Sequence, residues 1–167
     1  GFEVADAMLK AADVELLLSR TICSGKYMVL VRGNVAAVAA SVQAGEAIGG
    51  GAVIDSFVIP NLHEQVFPAL AGTGSRGKLE ALGILESFTV AALLEGADAA
   101  VKAAAVRLLE IRLAVALGGK AFVTLTGSVS AVQSAIEAGA EVVSRKGVLV
   151  NRVVIPNPRE ELLAEVL

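Results

Sequence analysis

Reactive side chains are scarce in this chain. Its 167 residues include one cysteine, Cys23, and one histidine, His63. A cysteine thiolate is both a nucleophile and a metal ligand. As a nucleophile it needs a base beside it, and Cys23 and His63 are far apart in sequence. No cluster of His, Cys, Asp and Glu has metal-ligand spacing, and no pair of carboxylates stands out for general acid–base work. These residue types argue against an enzyme. His63 follows Asn61-Leu62 at the start of a predicted helix, where it reads as an exposed or capping residue rather than a ligand. Cys23 alone would read as a small buried hydrophobe. Its setting, Thr21-Ile22-Cys23-Ser24-Gly25-Lys26, instead places it just before a predicted turn.

One segment imitates a phosphate site. Gly72-Thr73-Gly74-Ser75-Arg76-Gly77-Lys78 fits both G-x-G-x-x-G and G-x-x-x-x-G-K. Either chemistry needs a strand before the loop and a helix after it, so that backbone N–H groups and the helix dipole face the phosphate. Here a helix over about His63–Leu70 precedes and a strand follows, and Leu79 stands where Ser or Thr would hold magnesium. The segment reads as a linker. Gly49-Gly50-Gly51 reads as a turn.

Composition sets further bounds. Apolar residues make up 55% of the chain but aromatics only 4%, so the apolar mass is small and aliphatic, with 17 glycines. Such residues let elements pack closely. Only 19% of residues are charged, with a net charge of −3. A surface so poor in charge suits a protein that hides part of itself in a partner. No basic stripe speaks for nucleic acid. The region 97–117 is apolar but broken by Asp98, Lys102, Arg107, Glu110 and Arg112, which rules out a simple membrane span there.

The elements that position Cys23 emerge from an internal repeat. Ala5-Asp6-Ala7 recurs as Ala97-Asp98-Ala99, with Lys10 falling on Lys102, Val14 on Val106 and Leu16 on Leu108. Gly25-Lys26 recurs as Gly119-Lys120, and Gly33-x-Val35-x-Ala37-Val38 as Gly127-x-Val129-x-Ala131-Val132. Ala44-Gly45 recurs as Ala138-Gly139, and Val58-Ile59-Pro60-Asn61 as Val154-Ile155-Pro156-Asn157. The offset grows in two small steps, so the second copy carries two short insertions. The spacing is far longer than a solenoid period and marks a tandem duplication.

The second copy predicts a strand over Leu79–Ser87, then a Thr89-capped helix to about Ala104. A hairpin follows, from Val106–Ala114 and Ala121–Thr126 with Gly118-Gly119 turning it. A second helix opens at Ser128 or Ser130 and runs to about Val143. Val148–Ile155 is a fourth strand, and Arg159–Leu167 a short terminal helix. The fold class is therefore α/β of the α+β kind: two tandem ferredoxin-like βαββαβ domains, each with an added C-terminal helix. We divide the chain into a first domain over 1–70, a linker over 71–78 and a second domain over 79–167. The first copy has nothing corresponding to Leu82-Gly83-Ile84-Leu85-Glu86, which would leave its sheet with an open edge. The chain also begins without Met, and an N-terminal segment supplying that strand is expected in the natural protein.

Ala5-Asp6-Ala7-Met8-Leu9-Lys10-Ala11-Ala12, Leu82-Gly83-Ile84-Leu85-Glu86, Gly33-Asn34-Val35-Ala36-Ala37-Val38 and the Val-Ile-Pro stops together resemble bacterial microcompartment shell proteins. The resemblance covers essentially the whole chain, and the tandem copy matches the trimeric, pseudohexameric type. It implies a homotrimer forming a flat hexagonal tile that packs with other microcompartment shell proteins in the cytoplasm. It also implies a pore lined by Cys23, Ser24 and Gly25 from one copy and Leu117, Gly118 and Gly119 from the other. Lys10 and Lys102 match the lysine through which neighbouring tiles interlock. Asn61 and Asn157 replace an arginine often found after Val-Ile-Pro, so they are the other expected edge contacts. In one group of these proteins the loop cysteine binds iron and sulfur, and Cys23 falls on that position. The implied cofactor is one [4Fe–4S] cluster per trimer, held by three Cys23 thiolates, with Lys26 nearby to favour the thiolate. It would serve electron transfer or cluster delivery to encapsulated redox enzymes. The alternatives are a tile with an open metabolite pore and no cluster, or a ferredoxin-like small-molecule-binding regulator.

Overall fold

A computed structural model describes residues 1–74, 77, 79–114 and 118–162. The chain divides into two compact units, 1–60 and 61–167. That boundary falls earlier than the sequence places it, because the segment after Pro60 packs within the second unit.

The first unit starts with helix α1 (Phe2–Ala11), followed by strands β1 (Glu15–Ile22) and β2 (Lys26–Arg32) and helix α2 (Val35–Gly49). Asn34 caps α2 through a bond that its Oδ1 accepts from the Ala37 N–H at 2.9 Å. The second unit opens with the short helix α3 (Val66–Leu70), then strand β3 (Ala81–Ser87) and helix α4 (Val90–Ala103). Strands β4 (Arg107–Leu113) and β5 (Ala121–Gly127), helix α5 (Val129–Arg145) and strand β6 (Leu149–Pro156) complete it. Thr89 caps α4 and Ser128 caps α5. Asn34 and Ser128 occupy the same repeat position, so a different residue type does the same local work.

The second unit's sheet has the order β4-β5-β3-β6, every pair antiparallel. This is the ferredoxin-like order expected from the sequence. Strand β3 is central and uses both its edges, pairing with β5 from Ala81 to Ser87 and with β6 from Ala81 to Ser87. Helices α4 and α5 pack together and close the core, in which Leu82, Leu85, Leu93, Leu125, Val132 and Val143 are fully buried. One face of α4, formed by Ala92, Leu93, Gly96, Ala97, Ala100 and Val101, is buried throughout.

The first unit has β1 paired with β2 and nothing more. Its expected last strand, ending in Val58-Ile59-Pro60, is not formed: residues 53–59 lie outside any strand. The physical reason is visible in its twin. Strand β6 is held by β3 alone, and the described first copy supplies no counterpart of β3. Helices α1 and α2 still pack together around Ala5, Met8, Ser41 and Gly45, with the Ser41 hydroxyl donating to the Met8 carbonyl at 2.9 Å. Apolar residues stay uncovered, however. Phe2 is largely exposed where its repeat twin Leu94 is buried. The expected terminal helix over Arg159–Leu167 is described only as a single 3-10 turn, Glu160–Leu162. Residues 163–167 lie outside the described residues.

Closeness of α4 to α5 depends on two glycines. A Cβ on Gly139 would stand 2.7 Å from the Gly96 carbonyl oxygen, which cannot move without bending α4. At the twin position, a Cβ on Gly45 would meet the flexible end of Met8 at 2.7 Å. Gly139→Ala should therefore destabilise its unit by about 1–3 kcal/mol, and Gly45→Ala by less. Hydrogen exchange at the amides of α4–α5 and of α1–α2 reads the two effects separately.

Candidate functional site

Cys23 opens a one-turn 3-10 segment, Cys23–Gly25, joining β1 to β2. The ladder pairs Ile22 with Lys26, so only three residues make the connection. So tight a reversal needs a left-handed residue, and Gly25 supplies it with φ +71°. Cys23 itself is half-buried. Behind it the hairpin is braced by Tyr27, whose hydroxyl bonds the Ser19 hydroxyl at 2.8 Å and whose ring lies 5.2 Å from that of Phe2.

The twin loop in the second unit is longer. Ala114 donates its N–H to the Lys120 carbonyl at 3.1 Å at the base of the connection between β4 and β5. Ala114, Gly118 and Gly119 all have positive φ. Leu117, the expected pore counterpart of Cys23, lies outside the described residues. Lys120 pairs with Glu86 on β3 at 3.0 Å. Its twin Lys26 is in a copy that has no described equivalent of β3.

The expected edge residues separate into two settings. Lys102 donates to Asp98 at 2.6 Å and to the Asn61 carbonyl at 2.8 Å. Asp98 also accepts the His63 N–H at 2.8 Å. Asn61 and Lys102 thus meet each other inside the second unit. Lys10 pairs only with Asp6 among the described contacts, at 2.5 Å on the surface. Asn61 and Asn157 both hold left-handed backbone, with φ 56° and 47°. His63 is half-buried and lies ahead of α3, whose N-cap is Gln65 with no side-chain cap bond; the His63 Nδ1 accepts from the Gln65 N–H at 3.3 Å without capping the helix. Beyond Asn157, Arg159 hydrogen-bonds Glu161 at 2.9 Å and holds that carboxyl below the usual carboxylate range.

Gln65 is a site residue that sequence reading missed. Its Oε1 accepts from the Leu108 N–H at 3.0 Å, and its Nε2 donates to the Val106 carbonyl at 3.4 Å. Strand β4 is the edge of the sheet, so the side-chain amide stands in for a neighbouring strand. Beside it Val66 and Ala69 are fully buried. The one sequence signal was an amide after a Pro-Asn stop, which has no meaning until an open strand edge lies opposite.

A tandem α+β repeat with these hairpin loops and Val-Ile-Pro stops defines a class. Residues 1–62 and 81–158 match the BMC domain, and the chain belongs to the bacterial microcompartment shell proteins. It is 43% identical to the bacterial microcompartment shell protein PduT of Citrobacter freundii, over 97% of this chain and 88% of that protein. The shell protein EutM of Escherichia coli K12 is 40% identical over 84 residues, half of this chain and 84% of EutM, as one copy of the repeat would give. Among solved structures, a microcompartment protein from Desulfitobacterium hafniense superposes with a TM-score of 0.94 at 47% identity, covering 98% of this chain and 91% of that one. The chain is a structural component of a microcompartment shell and not an enzyme. No described helix is long and apolar enough to cross a membrane.

The Gln65 clasp gives a direct test of edge capping. Gln65→Met keeps the length but leaves the Leu108 N–H and Val106 carbonyl without their partner. It should weaken the hold on α3 by about 1–3 kcal/mol. Hydrogen exchange should speed up at α3 and the β4 edge, while β3 amides stay unchanged.

Proposed function

We propose that three copies of this chain form a pseudohexameric shell tile whose threefold axis carries one [4Fe–4S] cluster held by three Cys23 thiolates. One observation carries the reading: the hairpin tip of one repeat bears the chain's single cysteine, and the other repeat has no cysteine at all. A ring of three such chains offers three thiols on one axis, where six identical domains would offer six.

The donor chemistry fits that count. Among the described residues, no group of three or more His, Cys, Asp or Glu side chains within one chain is placed to hold a metal ion. A single chain contributes one thiol, so the ligand set has to come from symmetry copies. A cubane cluster has threefold axes of its own, each passing through one iron and the opposite sulfide. Three equivalent irons can accept three equivalent thiolates, and the fourth takes a water or a small molecule. Thiolate is the usual ligand for such clusters. When bound, the cluster supplies one-electron chemistry at the shell, or a store for delivery to enzymes inside. The chain's own part is positional. Gly25 allows the short turn, and the β1–β2 ladder fixes the base of the loop. In the shell the tile lies edge to edge with other microcompartment shell proteins.

The test is anaerobic reconstitution of the full chain with iron and sulfide. Wild-type protein should hold about one cluster per three chains, with a paramagnetic resonance signal after reduction. Cys23→Ser should lose the iron and keep the oligomer. An iron-free, colourless trimer after reconstitution would overturn the cluster and leave a tile with an open pore.

A further inference from the structure

The Cys23 hairpin differs from its twin in charge. Both hairpins carry a bulge at the same repeat position, between Leu16 and Leu18 in one and between Leu108 and Glu110 in the other. The shared bulge fixes which residues correspond. Leu18 stands at the place of Glu110, Arg20 at that of Arg112, and Met28 at that of Phe122. Arg20 lies opposite Met28 and Arg112 opposite Phe122, so the two arginines hold the same place on their ladders.

Their surroundings are unlike. Arg112 donates to Glu110 through Nε at 3.0 Å and through Nη2 at 2.8 Å, and its guanidinium lies 5.4 Å from the centre of the Phe122 ring. Arg20 is exposed, with no ion pair or hydrogen bond from its side chain among the described residues. Aliphatic Leu18 replaces the acid, and Met28 replaces the ring. Residues 16–31 carry two cations, Arg20 and Lys26, and no anion. Glu15, at the far end of the ladder, is taken up by Arg32 at 2.7 Å. Arg20 precedes Cys23 by three residues, so at the rise of a strand their Cα atoms are at most about 10 Å apart. That is close to the screening length of about 8 Å at physiological salt, so the charge of Arg20 is attenuated at Cys23 and not abolished.

We infer that Arg20 raises the reduction potential of the cluster held at Cys23; the inference rests on the cluster reading above. On reduction one electron arrives from an external reductant, no bond forms or breaks, and the site gains one unit of negative charge. Net charge around an iron–sulfur site is one of the terms that set its potential. Three copies of Arg20, equidistant from the axis, stabilise the added charge. The Arg112–Glu110 pair brings one charge of each sign on neighbouring positions and contributes little. Duplication thus divides charge between the copies as well as the thiol.

The full chain, reconstituted anaerobically with iron and sulfide, is titrated with dithionite and followed by paramagnetic resonance. Arg20→Gln should lower the reduced-to-oxidised ratio at a fixed potential about tenfold, or about 59 mV for a one-electron couple. Leu18→Glu, which gives Arg20 the acid that Arg112 has, should shift the potential in the same direction. Arg20→Lys, and the double variant Glu110→Gln with Arg112→Gln, should hold the wild-type value. A second measurement needs no cluster. Cys23 is the only cysteine, so iron-free protein is reacted with a dianionic aryl disulfide and with a neutral dipyridyl disulfide. In each case the Cys23 sulfur bonds one half of the reagent, the reagent's S–S bond breaks and the other half leaves as a thiolate. Arg20→Gln should lower the ratio of the anionic to the neutral rate about threefold at low salt. Equal potentials for wild type and Arg20→Gln, each with one cluster per three chains, overturn the inference and leave the cluster standing. An unchanged rate ratio overturns it whether or not a cluster forms. Wild-type protein that takes up no iron overturns the cluster reading, and this inference with it.

Discussion

The structure depends on the two-sided hydrogen bonding of one central strand. Strand β3 occupies the middle of the second unit's sheet and satisfies backbone groups of β5 on one side and β6 on the other. Buried backbone groups need partners, so the strands that flank β3 are strands because it is there. The first unit shows the converse. It has the hairpin, both helices and the Val-Ile-Pro stop, yet residues 53–59 form no strand without a neighbour. Ile54 and Phe2 are largely exposed.

Edges are the second constraint on such a sheet. An uncovered edge strand invites pairing with another chain. The second unit closes its β4 edge with the segment 61–70, which combines a clasping amide, a buried Val66 and a charged anchor at Lys102. The segment belongs to the first repeat by sequence and to the second unit by packing. The family supplies the biological setting: bacterial microcompartment shells are built from such domains.

Duplication also separates two roles that a single-copy protein must combine. The copies agree where packing decides, as in the caps Asn34 and Ser128 and the close glycines Gly45 and Gly139. They differ at the hairpin tips: one copy has a three-residue turn with Cys23, and the other a longer connection that includes Gly118 and Gly119. Loops tolerate such divergence because few buried contacts depend on them.

Much of this was legible in the sequence. The repeat, the strand order, the Thr89 cap, the apolar face of α4 and the absence of enzyme chemistry follow from periodicity, turn residues and residue counts, which are local properties. So did the missing counterpart of Leu82–Glu86, because a repeat exposes its own gaps. The loss of the first unit's last strand was not legible, since Val58-Ile59-Pro60 is identical in pattern to Val154-Ile155-Pro156 and differs only in what lies beside it. Nor were the Gln65 clasp and the pairing of Lys102 with Asn61, which join residues 41 or more positions apart. The sequence by itself determined which elements exist and that they occur twice. Only the tertiary structure decided which residues far apart in sequence bond to one another, as Gln65 does with β4 and Lys102 with Asn61, because hydrogen bonds and burial are settled between elements and not within them.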